Sequence, residues 1–272
     1  NFNVGDRVMG ATRFGAYATH LNVMAHQIRT IPDGWSFNQG AAFTCQTLTV
    51  YYALKALGNA KKGQTVLVHS AAGGCGIQAL RICEKLGVSV VGTVGNNSKV
   101  KTLLETFPSM KAEQIVVRTT SEDFQEQLSA ALKSIGKKGF DVVLDAILGG
   151  FFQPGYRAVN AGGRYIVYGA ASMTPHKDSL GIRGWLKLGY QWLTRPKVDP
   201  LNLPSDNKSV MGFNLIHCLN DAENLIQLLE EVEAMGLPPP LVGSVYEFKD
   251  IVSALRTFQS GKTVGKVVIQ TS

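Results

Sequence analysis

The spacing of apolar and polar positions changes character at residue 65. Thr65-Val66-Leu67-Val68-His69 is a short, unbroken run of the kind a strand buried on both faces needs. A helical stretch over 75–86 follows it, then a strand over 88–93 and a helix over 98–107. The series continues with a short strand at 114–117 and a helix over 122–135. Strands at 140–145 and 164–168, with a helix between them, close it. Strands alternating with helices predict a parallel sheet with right-handed crossovers. The two ends differ. Residues 1–37 read as short strand-like pieces punctuated by Gly and Pro, Ile31-Pro32-Asp33-Gly34 among them. The tail holds a helical stretch at 249–259, then Gly261-Lys262-Thr263 and a strand at 265–269. The ends are therefore expected to form one second lobe into which the parallel unit is inserted. The sequence contains no internal repeat and no low-complexity segment.

Between the first buried strand and its helix lies Ser70-Ala71-Ala72-Gly73-Gly74-Cys75-Gly76. A dinucleotide pyrophosphate needs a tight turn, a residue without a side chain where backbone approaches it, and free N–H groups at a helix start. Gly73, Gly74, Cys75 and Gly76 supply small residues at those places. Such a run is also compatible with a plain strand–helix turn, but its position before an amphipathic helix points to a cofactor loop. NAD-binding units usually carry Asp or Glu roughly 20 residues beyond the glycines, to bond the ribose hydroxyls. Here that strand end reads Thr93-Val94-Gly95-Asn96-Asn97-Ser98-Lys99, without an acid. A carboxylate would repel a 2′-phosphate, whereas Asn96, Ser98 and Lys99 offer donors and a positive charge. The bland alternatives are Lys99 as a surface lysine and Ser98 as a helix N-cap. The missing acid together with these residues favours NADPH.

Composition narrows the partners. With 45% hydrophobic and 17% charged residues over 272 positions, the chain is that of a folded domain or two, not a disordered one. No apolar run approaches the roughly 20 residues that cross a bilayer. The net charge of +7 and pI near 9.2 raise a nucleic-acid reading. The basic residues are dispersed, however, so a solvated surface that attracts anionic cofactors is expected and no nucleic-acid partner. The four cysteines form no CxxC pair, which suits free thiols in a reducing compartment. The opening Asn1-Phe2-Asn3-Val4-Gly5-Asp6 reads as the interior of a domain. The true amino terminus is therefore expected to be absent, and no N-terminal address is decidable.

Four segments carry a family resemblance: Val4-Gly5-Asp6-Arg7-Val8, Gly15-Ala16-Tyr17-Ala18, Leu48-Thr49-Val50-Tyr51-Tyr52 and Val68-His69-Ser70-Ala71-Ala72-Gly73-Gly74. Together they resemble the medium-chain dehydrogenase/reductase superfamily, and within it the zinc-independent, zeta-crystallin-type quinone oxidoreductases. Gly212-Phe213-Asn214-Leu215 and the Trp-rich stretch before it are similar to the vesicle amine transport protein (VAT-1-like) branch. The resemblance implies an α/β fold: a doubly wound parallel Rossmann sheet inserted in a partial GroES-like β-rich lobe. The lobe is expected from residues 1–44 and 220–272, and the NADP-binding domain from 45–219. The resemblance also implies NADPH in a cleft, a homodimer, a cytoplasmic setting and a quinone or enone substrate. Position by position it assigns nicotinamide-side contacts to Thr49, Tyr168, Phe213 and Leu215. It assigns pyrophosphate contacts to the backbone of Gly74, Cys75 and Gly76, and adenosine-phosphate contacts to Asn96, Ser98 and Lys99. Lys266 in Val264-Gly265-Lys266-Val267 matches a position near the cofactor. One departure stands out: relatives often carry Tyr after the third strand, where this chain has Arg118. Arg118 either pairs with the 2′-phosphate or faces water.

Other chemistry is weakly marked. Cys45 lies where zinc-dependent relatives place a metal ligand, but the four-Cys lobe of those relatives is missing after Val8. A catalytic zinc needs about three protein ligands, and the others would fall in the N-terminal part expected to be absent, so counting leaves the site open. The missing four-Cys lobe is the ground on which Cys45 is expected to be a buried small hydrophobe, with no metal. His20, His26, His69, His176 and His217 show no ligand spacing, and His69 reads as a satisfied core histidine. Asp145 either positions the cofactor or closes its strand, the second being favoured. Tyr51 and Tyr52 are visible hydroxyls that are equally readable as packed aromatics, and no catalytic acid is assigned. Finally, Ile182, Trp185, Gly189 and Trp192 share one helical face flanked by Arg183, Lys187 and Arg195. That face suits a cleft cover or subunit contact, with a lipid surface as the alternative. Two functions thus remain: zinc-free hydride transfer from NADPH to quinones or enones, or a nucleotide-binding adaptor that associates peripherally with membranes.

Overall fold

The computed structural model describes residues 2–173 and 181–271, so His176 lies outside the described residues, as do the side chains of Ile182, Arg183 and Lys187. In chain order the first elements are β1 (Val8–Gly10), β2 (Ile28–Thr30), α1 (Phe37–Tyr51) and β3 (Thr65–Val68). The alternation continues with α2 (Gly74–Leu86), β4 (Ser89–Val94), α3 (Ser98–Thr106), β5 (Ile115–Val117), α4 (Phe124–Ser134), β6 (Phe140–Asp145), α5 (Phe152–Arg157) and β7 (Val159–Val167). Then come α6 (Ile182–Leu193), α7 (Asn202–Asp206), β8 (Ser209–Gly212), α8 (Leu215–Cys218), α9 (Ala222–Ala234), β9 (Val242–Glu247), α10 (Ile251–Gln259) and β10 (Lys266–Gln270). These divide into two compact units. One takes Asn1–Tyr52, Ala72–Lys85 and Asn214–Ser272; the other takes Ala53–Ala71 and Leu86–Phe213.

The second unit is built on a six-stranded parallel sheet in the order β5-β4-β3-β6-β7-β8. This is the doubly wound Rossmann order, in which ligands bind at the carboxyl ends of the strands. Every residue of β3 is buried, as a central parallel strand requires. On one face Leu67, Val91, Val116 and Val143 pack under Phe124, Leu128, Ala131 and Leu132 of α4 and Phe152 of α5. Each such side chain contributes about 1.5–3 kcal/mol on full burial, so this layer fixes the height at which the strand ends stop.

In the first unit α1 is capped by a reciprocal pair: Gln39 N donates to Ser36 Oγ at 3.2 Å and Ser36 N to Gln39 Oε1 at 2.8 Å. The buried residues of α1 include Leu48, Val50 and Tyr51, while Phe37, Ala41 and Cys45 leave one open stripe at i, i+4 and i+8. Asp221 caps α9, accepting from Asn224 N at 3.1 Å, and Leu225, Leu228, Leu229 and Val232 form its apolar face. β9 and β10 pair in parallel, and β1 and β2 antiparallel. The helices α1 and α9 and the strands β8 and β9 are additions to the elements expected from the sequence pattern.

Candidate functional site

The ends of β3, β4 and β5 carry a polar cluster inside the second unit. No carboxylate stands at the end of β4, where Gly95 is followed by Asn96. The Asn96 side chain turns back on its own backbone, accepting from Ser98 N at 2.9 Å. Ser98 is the first residue of α3, and Asn97 stands at the N-cap position. Lys99 is only 9% exposed, which removes the surface-lysine reading. Burial lowers its pKa, and the positive charge of Arg118 lowers it further.

Arg118 does not face water. It follows β5, its backbone N donates to Val94 O at 2.8 Å, and its guanidinium donates to Thr93 Oγ1. The guanidinium also lies over the Phe151 ring, 5.7 Å from the centroid. Burial brings its pKa down to about 10 against the opposing pull of Asp145. At Gly95 an added Cβ would sit in ordinary van der Waals contact with Arg118 Nη2, at 3.4 Å.

Asp145, fully buried at the end of β6, closes the strand. Its Oδ1 accepts from Ile147 N at 2.6 Å and Leu148 N at 2.9 Å, and its Oδ2 from Tyr165 Oη at 2.7 Å. Leu148 is thereby held at φ 58°, a conformation rare for a residue with a side chain. His69 is buried as expected but only half satisfied: Nδ1 lies 3.2 Å from Thr93 Oγ1, and Nε2 has no partner among the described residues. The His69 ring lies beside that of Phe124, the two centroids 5.7 Å apart. Tyr168 and Phe213, just past β7 and β8, bring their rings to 6.1 Å.

The glycine loop and its neighbours belong to the first unit. Gly265 N donates to Ala72 O at 2.8 Å and Gly73 bridges Gly265, which ties the loop to the turn before β10. Gly265 has φ 68°, and a Cβ there would overlap the Leu241 carbonyl. At Gly74 a Cβ would meet Gln46 Cγ at 3.3 Å and Lys266 Cδ at 3.5 Å. With its nitrogen donating to Ala42 O at 2.8 Å, Gln46 accepts from Lys266 Nζ through its oxygen. Helix α2 starts at Gly74, with Cys75 and Gly76 in its first turn. Burial, reinforced by the neighbouring Cys45, pushes the Cys75 thiol up to about 12 despite Lys266, so it is no thiolate nucleophile.

Thr49 spends its hydroxyl on Cys45 O at 2.7 Å, and Leu215 is buried in α8. The expectation of a buried Cys45 fails. The thiol is exposed, because position 45 falls on the open stripe of α1. Tyr51 is buried and Tyr52 half-buried. Burial and a hydrogen bond with Glu231 raise Tyr51 to about 12, and burial followed by Cys218 raises Tyr52. Among the described residues no three His, Cys, Asp or Glu side chains converge as metal ligands, and no helix is long and apolar enough to cross a membrane. Trp185, Leu186, Tyr190, Trp192 and Leu193 of α6 are all more than 60% exposed.

Thr93, Phe151, Gln46 and Gly95 were not singled out from sequence. The available signal was a hydroxyl at the end of a buried strand directly before the loop.

A profile described as zinc-binding dehydrogenase matches residues 110–269. The chain belongs to the zinc-binding dehydrogenase family. Similar solved structures include the quinone oxidoreductase of Thermus thermophilus, studied also as its complex with NADPH, which is 26% identical with a TM-score of 0.75. That alignment covers 99% of this chain and 78% of the other. A mycobacterial protein complexed with NADPH matches 98% of this chain and 75% of its own at 26% identity, with a TM-score of 0.79. The rat synaptic vesicle membrane protein VAT-1 homolog is 30% identical over 97% of this chain. This relative is longer: the chain spans 63% of its length. The zinc-binding dehydrogenase family thus includes both the quinone-oxidoreductase-like and the VAT-1-like resemblances expected from the motifs.

Proposed function

We propose that this chain is the nucleotide-binding part of an NADPH-dependent, zinc-free reductase of quinones or activated enones. The observation that carries the reading is the pair Lys99 and Arg118, two cations lowered by burial at an acid-free strand end, Lys99 further by the charge of Arg118. A dianionic 2′-phosphate is the ligand that relieves them, since it restores the charged state that burial and repulsion disfavour. The backbone N–H groups of Gly74, Cys75 and Gly76 at the start of α2, with Gly73 before them, take the pyrophosphate. Asn96 and Ser98 add donors beside the adenosine, and Lys266 stands next to the glycine loop. Thr49 and Leu215 in the first unit, and Tyr168 and Phe213 in the second, are the residues that the family resemblance assigns to the nicotinamide. When bound, NADPH supplies the hydride; the chain supplies alignment and charge. With Tyr51 and Tyr52 engaged elsewhere, the proton for the product oxygen comes from water. A homodimer in the cytoplasm, acting on a small-molecule acceptor, completes this reading.

The test is fluorescence titration with both reduced nucleotides. NADPH should bind at least about 30-fold more tightly than NADH, the worth of one charge-assisted contact. Equal affinities would overturn the reading.

One observation favours a second function, a nucleotide-binding adaptor with peripheral membrane contact: the exposed aromatic face of α6, with Arg195 over the Trp192 ring at 4.3 Å. Flotation with anionic vesicles, lost on replacing Trp185 and Trp192, together with nucleotide binding but no quinone reduction, would support it.

A further inference from the structure

His69, Thr93 and Arg118 stand at the carboxyl ends of three neighbouring strands. In the register of the sheet Val68 pairs with Gly92 and Thr93 with Val116, so His69 and Thr93 follow matched positions, while Arg118, two residues beyond Val116, reaches back to Thr93 and completes a line of side-chain contacts. The hydrogen bonds along that line have a direction. A guanidinium only donates, so Thr93 Oγ1 accepts from Arg118 and keeps its own hydrogen for another partner. The His69 Nδ1 is 3.2 Å away and takes it, provided the ring is neutral with its hydrogen on Nε2. Burial, the largest cause, lowers the His69 pKa to about 4 and keeps the ring neutral at physiological pH. Asp145 opposes this shift and Arg118 adds to it. A buried Nε2–H without a partner costs about 1–3 kcal/mol, which packing alone would avoid by using an aliphatic side chain.

We infer that Thr93 and His69 are positioning residues for nucleotide selection, forming a one-way chain that aims the Arg118 guanidinium at the adenosine 2′-phosphate. The inference rests on the NADPH reading above. Arg118 alone has many rotamers. The Thr93 hydroxyl on one edge and the Phe151 ring on its face restrict them. The selectivity of the site is thus set one residue behind the group that touches phosphate.

Titrations of NADPH and NADH with the full chain test this. Thr93→Val should weaken NADPH about five- to tenfold, the cost of ordering a freed side chain, while NADH changes less than about twofold. Thr93→Ser, which keeps the hydroxyl, should return the NADPH-to-NADH ratio to within about twofold of the parent. Thr93→Ala needs no extra room and serves the same comparison should the valine variant fail to fold. A structural role would lower the melting temperature and both affinities together, leaving the ratio unmoved, and that result would overturn the inference. So would a serine variant that behaves like valine. If the parent chain itself shows no preference for NADPH, the nucleotide reading fails and takes the inference with it. If the parent prefers NADPH but Thr93→Val keeps the ratio, only the inference fails.

Discussion

Two strand ends of the same sheet bury charge, and they treat it differently. At the end of β6, Asp145 collects two backbone N–H groups and the Tyr165 hydroxyl, so its carboxylate is fully used by the fold. At the ends of β4 and β5, Lys99 and Arg118 hold positive charge that burial makes costly. Arg118 receives a hydroxyl oxygen and a ring face, and among the described residues no carboxylate lies within ion-pair distance of it. A charge surrounded by donors is structural. A buried charge met mainly by a hydroxyl and an aromatic ring is held for something that arrives later.

The comparison breaks first if Asp145 proves dispensable. Asp145→Ala strands three buried donors and should destabilise the protein by about 3–5 kcal/mol in urea melts. On the other side, Arg118→Met should leave stability within about 1 kcal/mol and weaken NADPH about 100-fold, with NADH little changed. An equal loss for both nucleotides would erase the distinction between the two ends.

The pH dependence sharpens the neutral ring at the heart of the cluster. The folded-state pKa of His69, near 4, lies below the ordinary value of 6.5. The unfolded chain therefore binds the extra proton first, and stability falls as the pH drops from 6.5 towards 4. About 2 kcal/mol should be lost between pH 7 and pH 4.5 in denaturant midpoints, and His69→Phe should remove most of that loss. The smallest effect is expected at Lys99, where Lys99→Gln should weaken NADPH about tenfold and NADH hardly at all.

The sheet was readable because its strands are continuous apolar runs such as Val142-Val143-Leu144, which suit a parallel core and little else. The additions to that reading have a common cause. Helix α1 is buried on most of its surface, so it lacks the polar stripe that marks an amphipathic helix; Ser36 and Gln39 were its sequence signal. Strand β9 alternates half-buried and exposed residues, and β8 stands in a polar context that gives little contrast. Within the candidate site, Gly73 to Gly76 and Lys99 were readable from position alone. The environment of Arg118 was not, since its neighbour Thr93 lies 25 residues away in the chain. Cys45 was misread because burial depends on which stripe of α1 it occupies, and that is set by contacts distant in sequence.

The first unit is assembled from three separated stretches of chain, and this fixes an order of events during synthesis. A polypeptide leaves the ribosome amino end first, and strands β3 to β8 emerge in unbroken succession. Helix α1 emerges before any of them and meets β1 at once, yet its other packing partners, among them α9, β9 and β10, follow β8. Gln46 waits for Lys266. Between the emergence of β8 and that of β10, the nascent chain therefore holds all six strands of the sheet while α1 still lacks part of its apolar packing.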